Sequence, residues 1–561
     1  MSSSVVSVES GHIRVVPAFA DMLTVQRLGG RFNGATRAWL WPATRENAML
    51  LAKRLRAANM TPEFAALLAL PAPEIEVPAQ PEAPAVDPRS DLLDSPAEPE
   101  IVVPDGMLTR PWRHQKAAFK FCTDRFAAGM RGILLAMGMG TGKSLVACML
   151  ILALLARRVL IACPLRVVQV WITQFERHVG APVMLIALDE DAGSVSEKQE
   201  LAAEKMKLAQ ALGVPFIGVI NYDSAWRDPF AAWAEKVQWD LVIADEAHRI
   251  KAPGGKASLF FKRMRLHAAH RIALTGTPLP HGPMDIYAQF RFLDVTIFGP
   301  SFSAFRTKYA VMGGYQRKQI TGFQKLDELE ASMSRITFRV GPEVLDLPPA
   351  THVTYYCDLT PEAARIYRDL EEDFVARVKD GTVTAANALV KLLRLQQVVG
   401  GCVPTDDHIV QRVDSSKQKL LADTLADIGK DEAVVVFCRF HADLDAVHHA
   451  CEAMGYSTLE LSGRRDQLKS WQDGEAQVLA VQISAGGVGV DFTRARFAMY
   501  YSLSFSLGEY DQALARVHRP GQTRPVEHIH LVARNTVDVK IMRALEKRAE
   551  IVQSILAEIK H

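Results

Sequence analysis

The sequence predicts an α/β protein: two tandem lobes, each built on a parallel sheet, with helical insertions between them and a small α+β module at the N-terminus on a Pro/acid-rich linker. Three observations predict it. Five short apolar runs, "GILLAM", "RVLIACP", "FIGVIN", "DLVIADE" and "RIALTGT", recur between longer helical stretches. A second series, "AVVVFC", "STLELSG", "VLAVQIS", "FAMYYS" and "HIHLVA", starts near residue 430. Apolar runs of this kind, alternating with helices, mark parallel sheets covered on both faces. The third observation is a stretch rich in proline and acid that cannot bury enough surface to fold.

In chain order, residues 1–70 form the small module. Residues 1–60 hold eight Lys/Arg against three Asp/Glu, a basic balance suited to nucleic acid. Residues 71–105 are the linker, with nine acids and one arginine. Lobe one is expected over 106–295, a mainly helical interlobe region over 296–415, and lobe two over 416–561. A chain of 561 residues is too long for one core. Its seven cysteines are scattered with no Cys-x-x-Cys pair, which argues against a disulfide framework or zinc site and for a reducing cytoplasm. The start "MSSSVVSVESGH" lacks a basic, then apolar, leader. The most apolar stretch, Leu145 to Ala156, is closed by Arg157-Arg158 and is too short to span a bilayer. No membrane association is expected.

The chemistry begins at "MGMGTGKS". Glycines let the backbone curl round an anion, and the helix that follows offers free N–H groups to it. Met139, Gly140, Thr141 and Gly142 would form the loop; Lys143 would reach the β/γ-phosphates and Ser144 would hold Mg²⁺. One departure stands out: Met137 occupies the position where the strict pattern has its first glycine. The pair Asp245-Glu246 closes the run "DLVIADE". Read alone, it is equally a helix start, where acids are favoured. Placed after a strand and downstream of a phosphate loop, Asp245 would bind Mg²⁺ through water, and Glu246 would orient and deprotonate the attacking water. In the second series, "QALARVHRPGQT" puts Arg516, His518 and Arg519 within one helical turn. An arginine reaching across a cleft neutralises charge on a transferring phosphoryl group; Arg519 ranks first for that role and Arg516 second.

Taken together, the ordered set resembles superfamily-two helicase-like motors, and most closely the Swi/Snf family, over about residues 106–555. The resemblance rests on "LTRPWRHQ", "MGMGTGKS", "CPLRVVQVWITQF", "DEAHRIKAPGGK", "LTGTPLPHGPMDIY", "LDLPP", "LLRLQQVVGG", "SAGGVGVDFT" and "QALARVHRPGQT". It implies two RecA-like lobes with ATP and Mg²⁺ between them. It also implies that Gln115 contacts adenine, that Gly489 and Asp491 join the nucleotide-binding set, and that His248, Thr275, Thr277 and Gln512 couple hydrolysis to lobe movement. Its implied track is duplex DNA, followed without obligatory strand separation. The stretch "LGGRFNGATRAWLWPATRENAMLLAKRL" is similar to the HARP domain of annealing helicases, and suggests branched DNA as substrate, with Arg37, Trp39 and Trp41 as candidate contacts; basic side chains beside aromatics suit backbone contact and base stacking. The other reading of Trp39 and Trp41 is the core of a tiny domain. Alternatives for the motor are a strand-separating helicase and a remover of proteins from DNA; a non-catalytic scaffold conflicts with the presence of Lys143, Glu246 and Arg519. No bromo- or chromodomain-like stretch is present, so a nucleosome substrate is not expected. Compact chains of this plan resemble bacterial or phage versions, which places the protein in the cytoplasm, at nucleoid or host-cell DNA, as a monomer.

Overall fold

In the computed structural model, residues 101–556 are described apart from 314–318, 380–384, 405–409 and 486–489; before them, 5–9, 12–16, 31–33, 38–44, 47–48, 51 and 59–69 are described. The linker expected over 71–105 therefore lies outside the described residues up to residue 100.

The N-terminal module is a five-stranded sheet of β1 (Val5–Glu9), β2 (His12–Val16), β3 (Arg31–Asn33), β4 (Ala38–Pro42) and β5 (Asn59–Met60), in the order β3-β4-β2-β1-β5. Ile13 and Val15 alternate inward on β2 and lie opposite Trp41 and Trp39 on β4. A period-2 apolar face needs a cover, and Phe64 of the helix Pro62–Ala69 is buried with it. Trp41, 4% exposed, is part of this core and Trp39 packs against it. Trp41 is thus corrected from a DNA-contact candidate to a core residue, because its strand face is the buried one. Arg37 lies outside the described residues. Leu208 and Leu212, at the end of the helix Val195–Ala211, pack against both this core and that of lobe one. The module is therefore docked on lobe one.

Lobe one contains β6 (Gly132–Met137), β7 (Arg158–Cys163), β8 (Met184–Ala187), β9 (Phe216–Asn221), β10 (Trp239–Asp245) and β11 (Ala268–Thr275). A hairpin of β12 (Ala310–Gly313) and β13 (Gln319–Phe323) follows, then β14 (Thr337–Val340). Seven of these strands form one parallel sheet in the order β14-β6-β11-β10-β7-β9-β8. Strand β6 explains why its run is apolar throughout. Leu134 and Ala136 face one core with Phe260 and Tyr287, while Ile133, Leu135 and Met137 face the other with Val146 and Trp171.

Lobe two repeats the plan. Its strands are β15 (Ala350–Cys357), β18 (Val434–Cys438), β19 (Thr458–Leu461), β20 (Val478–Gln482), β21 (Phe497–Tyr500) and β22 (Val526–Ala533), with a separate hairpin of β16 (Cys402–Pro404) and β17 (Val410–Arg412). The order is β15-β22-β21-β18-β20-β19, all parallel. The segment 296–415, read from sequence as mainly helical, does carry helices, among them Phe302–Tyr309, Leu326–Ser334 and Pro361–Lys379. It also supplies β14 to one sheet and β15 to the other, so each lobe is completed from inside the connecting region.

All seven cysteines are free. Among the described residues no helix is long and apolar enough to cross a membrane, and no cluster of three or more His, Cys, Asp or Glu forms a metal site.

Candidate nucleotide site between the lobes

Strand β6 runs straight into the glycine loop, and the buried helix Lys143–Ala153 leaves it. Gly140 and Gly142 have φ of 78° and 83°, a region other residues enter at a cost. Space forbids a side chain as well: a Cβ on Gly142 would lie 2.1 Å from Gln115 Nε2, and one on Gly140 2.7 Å from Pro520 Cδ of lobe two. Met137 departs from the strict motif without harm, since it is the fully buried last residue of β6, opposite Val340. The loop is braced from below. Thr141 Oγ1 donates to Gly138 O (2.7 Å), Gln115 Nε2 donates to Thr141 O (3.0 Å), and His114 Nε2 lies 2.8 Å from the same carbonyl. Gln115 Oε1 accepts from Trp112 N–H (2.8 Å). The side chain expected at adenine is therefore buried and committed at both ends to the loop and the start of its own helix.

Lys143 Nζ donates to Met137 O (2.9 Å) and Gly138 O (3.2 Å). Burial pushes its pKa down, and Glu246 and Asp245 oppose that shift. Ser144 follows it in the first turn of the helix, half-buried.

The acid pair sits at the carboxyl end of β10, beside the loop, where parallel sheets place ligands. Asp245 is 6% exposed. Its Oδ1 accepts from Glu246 N–H (2.9 Å), its Oδ2 from Trp171 Nε1 (2.9 Å), and its backbone carbonyl from Tyr222 Oη (2.7 Å). Glu246 adopts φ 52°, ψ 53°, a left-handed conformation that costs a non-glycine residue about 1–2 kcal/mol. Such strain, concentrated at functional sites, turns the glutamate off the strand axis. Its Oε2 is 3.3 Å from His248 Nδ1, which is 3.5 Å from Thr275 Oγ1; Thr277 N–H donates to that same hydroxyl (3.1 Å). The four residues form a chain from the acid pair to the loop after β11. Burial, reinforced by Glu246, raises the Asp245 carboxyl, while Lys143 and the Trp171 N–H oppose the rise. Burial acts the same way on Glu246, but His248 first, then Lys143 and Arg516, hold it below the usual carboxylate range.

Lobe two approaches from the other side. Arg166 Nη1 donates to Ala485 O (2.9 Å), and a Cβ on Gly508 would meet Pro280 Cβ at 2.8 Å and Thr277 Oγ1 at 3.6 Å. The start of the helix Leu507–Val517 thus lies against the expected coupling loop. Gln512 is buried on that helix. At its end Arg516 is 8% exposed; burial, then Arg519, brings its guanidinium down to about 10, against the pull of Glu246, Asp491 and Asp245. Arg519, ranked first from sequence, instead donates to Val490 O (3.0 Å) in its own lobe and lies 3.9 Å from Asp491 Oδ2. Asp491 Oδ1 accepts from Thr493 N–H and Oγ1. Gly489 lies outside the described residues. Arg516 is therefore the arginine that shares a field with Lys143, Asp245 and Glu246. A cavity of about 410 Å³ lies beside the loop, with Gly138, Met139 and Thr277 on one wall and His352, Asp511 and His518 on the other.

Sequence reasoning missed Trp171 and Tyr222, although Trp171 lies in the quoted stretch "CPLRVVQVWITQF". A buried indole needs a hydrogen-bond acceptor, and that requirement was the available signal.

A glycine loop and acid pair on one parallel-sheet lobe, approached by an arginine, Arg516, of a second such lobe, define a two-lobed phosphate-loop protein of the helicase-like class. Comparison with known proteins agrees. Residues 114–402 match the SNF2-related domain and residues 416–521 the helicase conserved C-terminal domain, and the chain belongs to the SNF2-related family. It is 25% identical over 420 residues to chromodomain-helicase-DNA-binding protein 1-like of Danio rerio, covering 71% of this chain and 39% of that protein. It is 24% identical over 519 residues to DNA repair protein rhp54 of Schizosaccharomyces pombe, covering 82% and 60%. DNA repair and recombination protein RDH54 of Saccharomyces cerevisiae is 22% identical over 483 residues, covering 76% and 50%. The chain thus spans about half the length of these relatives. A solved Sulfolobus solfataricus SWI2/SNF2 ATPase core in complex with dsDNA is 23% identical, with a TM-score of 0.39, covering 82% of this chain and 95% of that one.

Proposed function

We propose that this protein is a DNA-stimulated ATPase that tracks duplex or branched DNA and re-anneals strands or remodels forks. The observation that carries the reading is the approach of lobe two to the glycine loop and acid pair of lobe one: a Cβ on Gly140 would lie 2.7 Å from Pro520 Cδ, just beyond the helix whose last turn carries Arg516, and Asp245 and Glu246 are buried at the end of β10. ATP would lie over the glycine loop with its phosphates toward Lys143. The Asp245 carboxylate and Ser144 hydroxyl are hard oxygen donors of the kind Mg²⁺ takes, and they would hold it; when bound, it neutralises charge on the phosphates. Glu246, ionised at working pH, orients the attacking water and receives its proton. Arg516 stabilises charge developing on the transferred group. His248 and Thr275 link the glutamate to the loop that meets lobe two, so that lobe closure and hydrolysis influence each other.

The DNA track is supported by the relatives' names and by the basic balance of residues 1–60. Backbone contacts carry no sequence information, so binding is expected to be sequence-tolerant and salt-sensitive. The N-terminal module is read as a fork-recognition element with Arg37 as the remaining candidate contact, since Trp39 shares the inward face with Trp41. The protein is read as a cytoplasmic monomer. Strand separation is a second reading, favoured by the β12–β13 hairpin, whose Val311 and Ile320 are 41% and 42% exposed. ATPase activity measured with no DNA, single strand, duplex and fork tests the main reading: duplex and fork should stimulate most, and no turnover under any of the four conditions would refute it. Product strands on forks then separate re-annealing from unwinding. Deleting residues 1–70 should weaken fork binding about tenfold while basal ATPase persists; unchanged fork affinity would remove the module's assigned role.

A further inference from the structure

Three tryptophans of the two lobes are among the largest fully or nearly fully buried side chains, and their indole N–H groups go to different kinds of acceptor. Trp239 Nε1 donates to the backbone carbonyl of Ala234 (2.9 Å) and Trp471 Nε1 to that of Gln477 (3.2 Å). Both are the usual way to satisfy an indole in a core. Trp171 Nε1 donates to a side-chain carboxylate oxygen, Asp245 Oδ2, at 2.9 Å. Trp171 is 1% exposed, and its ring packs against Phe175 one turn along the helix Val168–His178, centroids 6.2 Å apart. The donor is therefore fixed by a filled core rather than free to follow its acceptor.

The geometry points to Trp171 as a positioning residue for the metal-binding carboxylate. This rests on the reading above, in which Asp245 holds Mg²⁺ with the nucleotide. The outer torsion of an aspartate is broad and nearly two-fold, so a buried carboxylate with one local partner samples many planes. Here Glu246 N–H holds Oδ1 and Trp171 holds Oδ2, while Tyr222 Oη fixes the backbone carbonyl of the same residue (2.7 Å). Each carboxylate oxygen has one lone pair engaged and another left for the metal or its water. Groups that orient a metal ligand in this way change metal affinity by about 10–100-fold when removed.

The test is Trp171→Phe in the full chain, which keeps a ring in the core and deletes the N–H. ADP binding is measured by calorimetry over a Mg²⁺ titration and again in EDTA. The expected result is a Mg²⁺ concentration for half-maximal tight binding raised about tenfold, with ADP affinity in EDTA unchanged. Should the phenylalanine variant fail to fold, 3-benzothienylalanine at position 171 keeps the bicyclic shape without the N–H and should give the same shift. An unshifted Mg²⁺ titration in a folded variant would overturn the assignment, as would equal weakening in Mg²⁺ and in EDTA, which marks general damage. If the unaltered protein showed no Mg²⁺-enhanced ADP binding, the ATPase reading would fall and this inference with it.

Discussion

Lobe one and lobe two share a parallel sheet covered on both faces, yet they handle charge differently. Lobe one gathers Lys143, Asp245, Glu246 and His248 at the ends of β6 and β10, the two acids buried and Lys143 and His248 half-buried. Lobe two places Arg516 in the last turn of one helix and Arg519 just past its end, ties Arg519 to the Val490 carbonyl, and buries Arg516 within the influence of Glu246 and Asp245. Buried charge is costly unless compensated. Lobe one compensates mainly within itself, through His248 and Lys143, with Arg516 adding to the hold on Glu246; Arg516 in turn draws on Glu246 and Asp245 of the other lobe, besides Asp491 of its own. The catalytic half is thus assembled when lobe one folds, and the second half gains its use only by apposition.

The comparison is broken most sharply at Glu246. Glu246→Gln should reduce turnover about 10³-fold while nucleotide affinity stays within about twofold, read by steady-state hydrolysis and calorimetry; wild-type turnover in this variant would show that the pair is merely structural. The next test lies across the gap. Arg516→Ala should cost about 10²-fold or more in turnover, and Arg519→Ala at least tenfold less, because its guanidinium is engaged at home. Equal losses would erase the distinction drawn between the two. The smallest effect concerns acid stability and is read in lobe two. Burial, with neighbouring imidazoles on His528 and despite the Val353 carbonyl on His530, holds these lobe-two histidines at about 3 and about 4. An unfolded chain protonates its histidines near pH 6.5, while the folded lobe refuses those protons. Stability therefore falls as pH drops from about 6.5 toward 4, by about 2 kcal/mol for each histidine at pH 5. Melting curves of wild type and of a His528→Asn, His530→Asn variant check this: the variant should lose less Tm between pH 7 and pH 5.

The central strands and the loop–acid chemistry were legible because each has a one-dimensional signature. β6, β9 and β10 are apolar runs, and Lys143 and Glu246 are fixed by local spacing. Features that depend on what arrives from elsewhere were not. β14 and β15 are edge strands whose identity comes from pairing with β6 and β22. The ranking of Arg519 over Arg516 turned on a backbone carbonyl at Val490, 29 residues away along the chain, which no spacing rule reveals. Gln115 stands in a recognisable segment, but the Thr141 carbonyl that captures it appears only once the loop has curled. In the N-terminal module a usable signal existed: residues i and i+2 share a strand face, and Ile13 and Val15 across from Trp41 and Trp39 mark that face as inward.

Leu208 and Leu212 belong to two cores at once. That packing ties the N-terminal sheet to lobe one. Spectroscopic labels on the N-terminal sheet and on lobe one should keep a constant separation through a nucleotide cycle, while a label on lobe two moves against both. Were the fork contact proposed above to lie on this module, it would travel with lobe one, to whose helix Val195–Ala211 the module is packed.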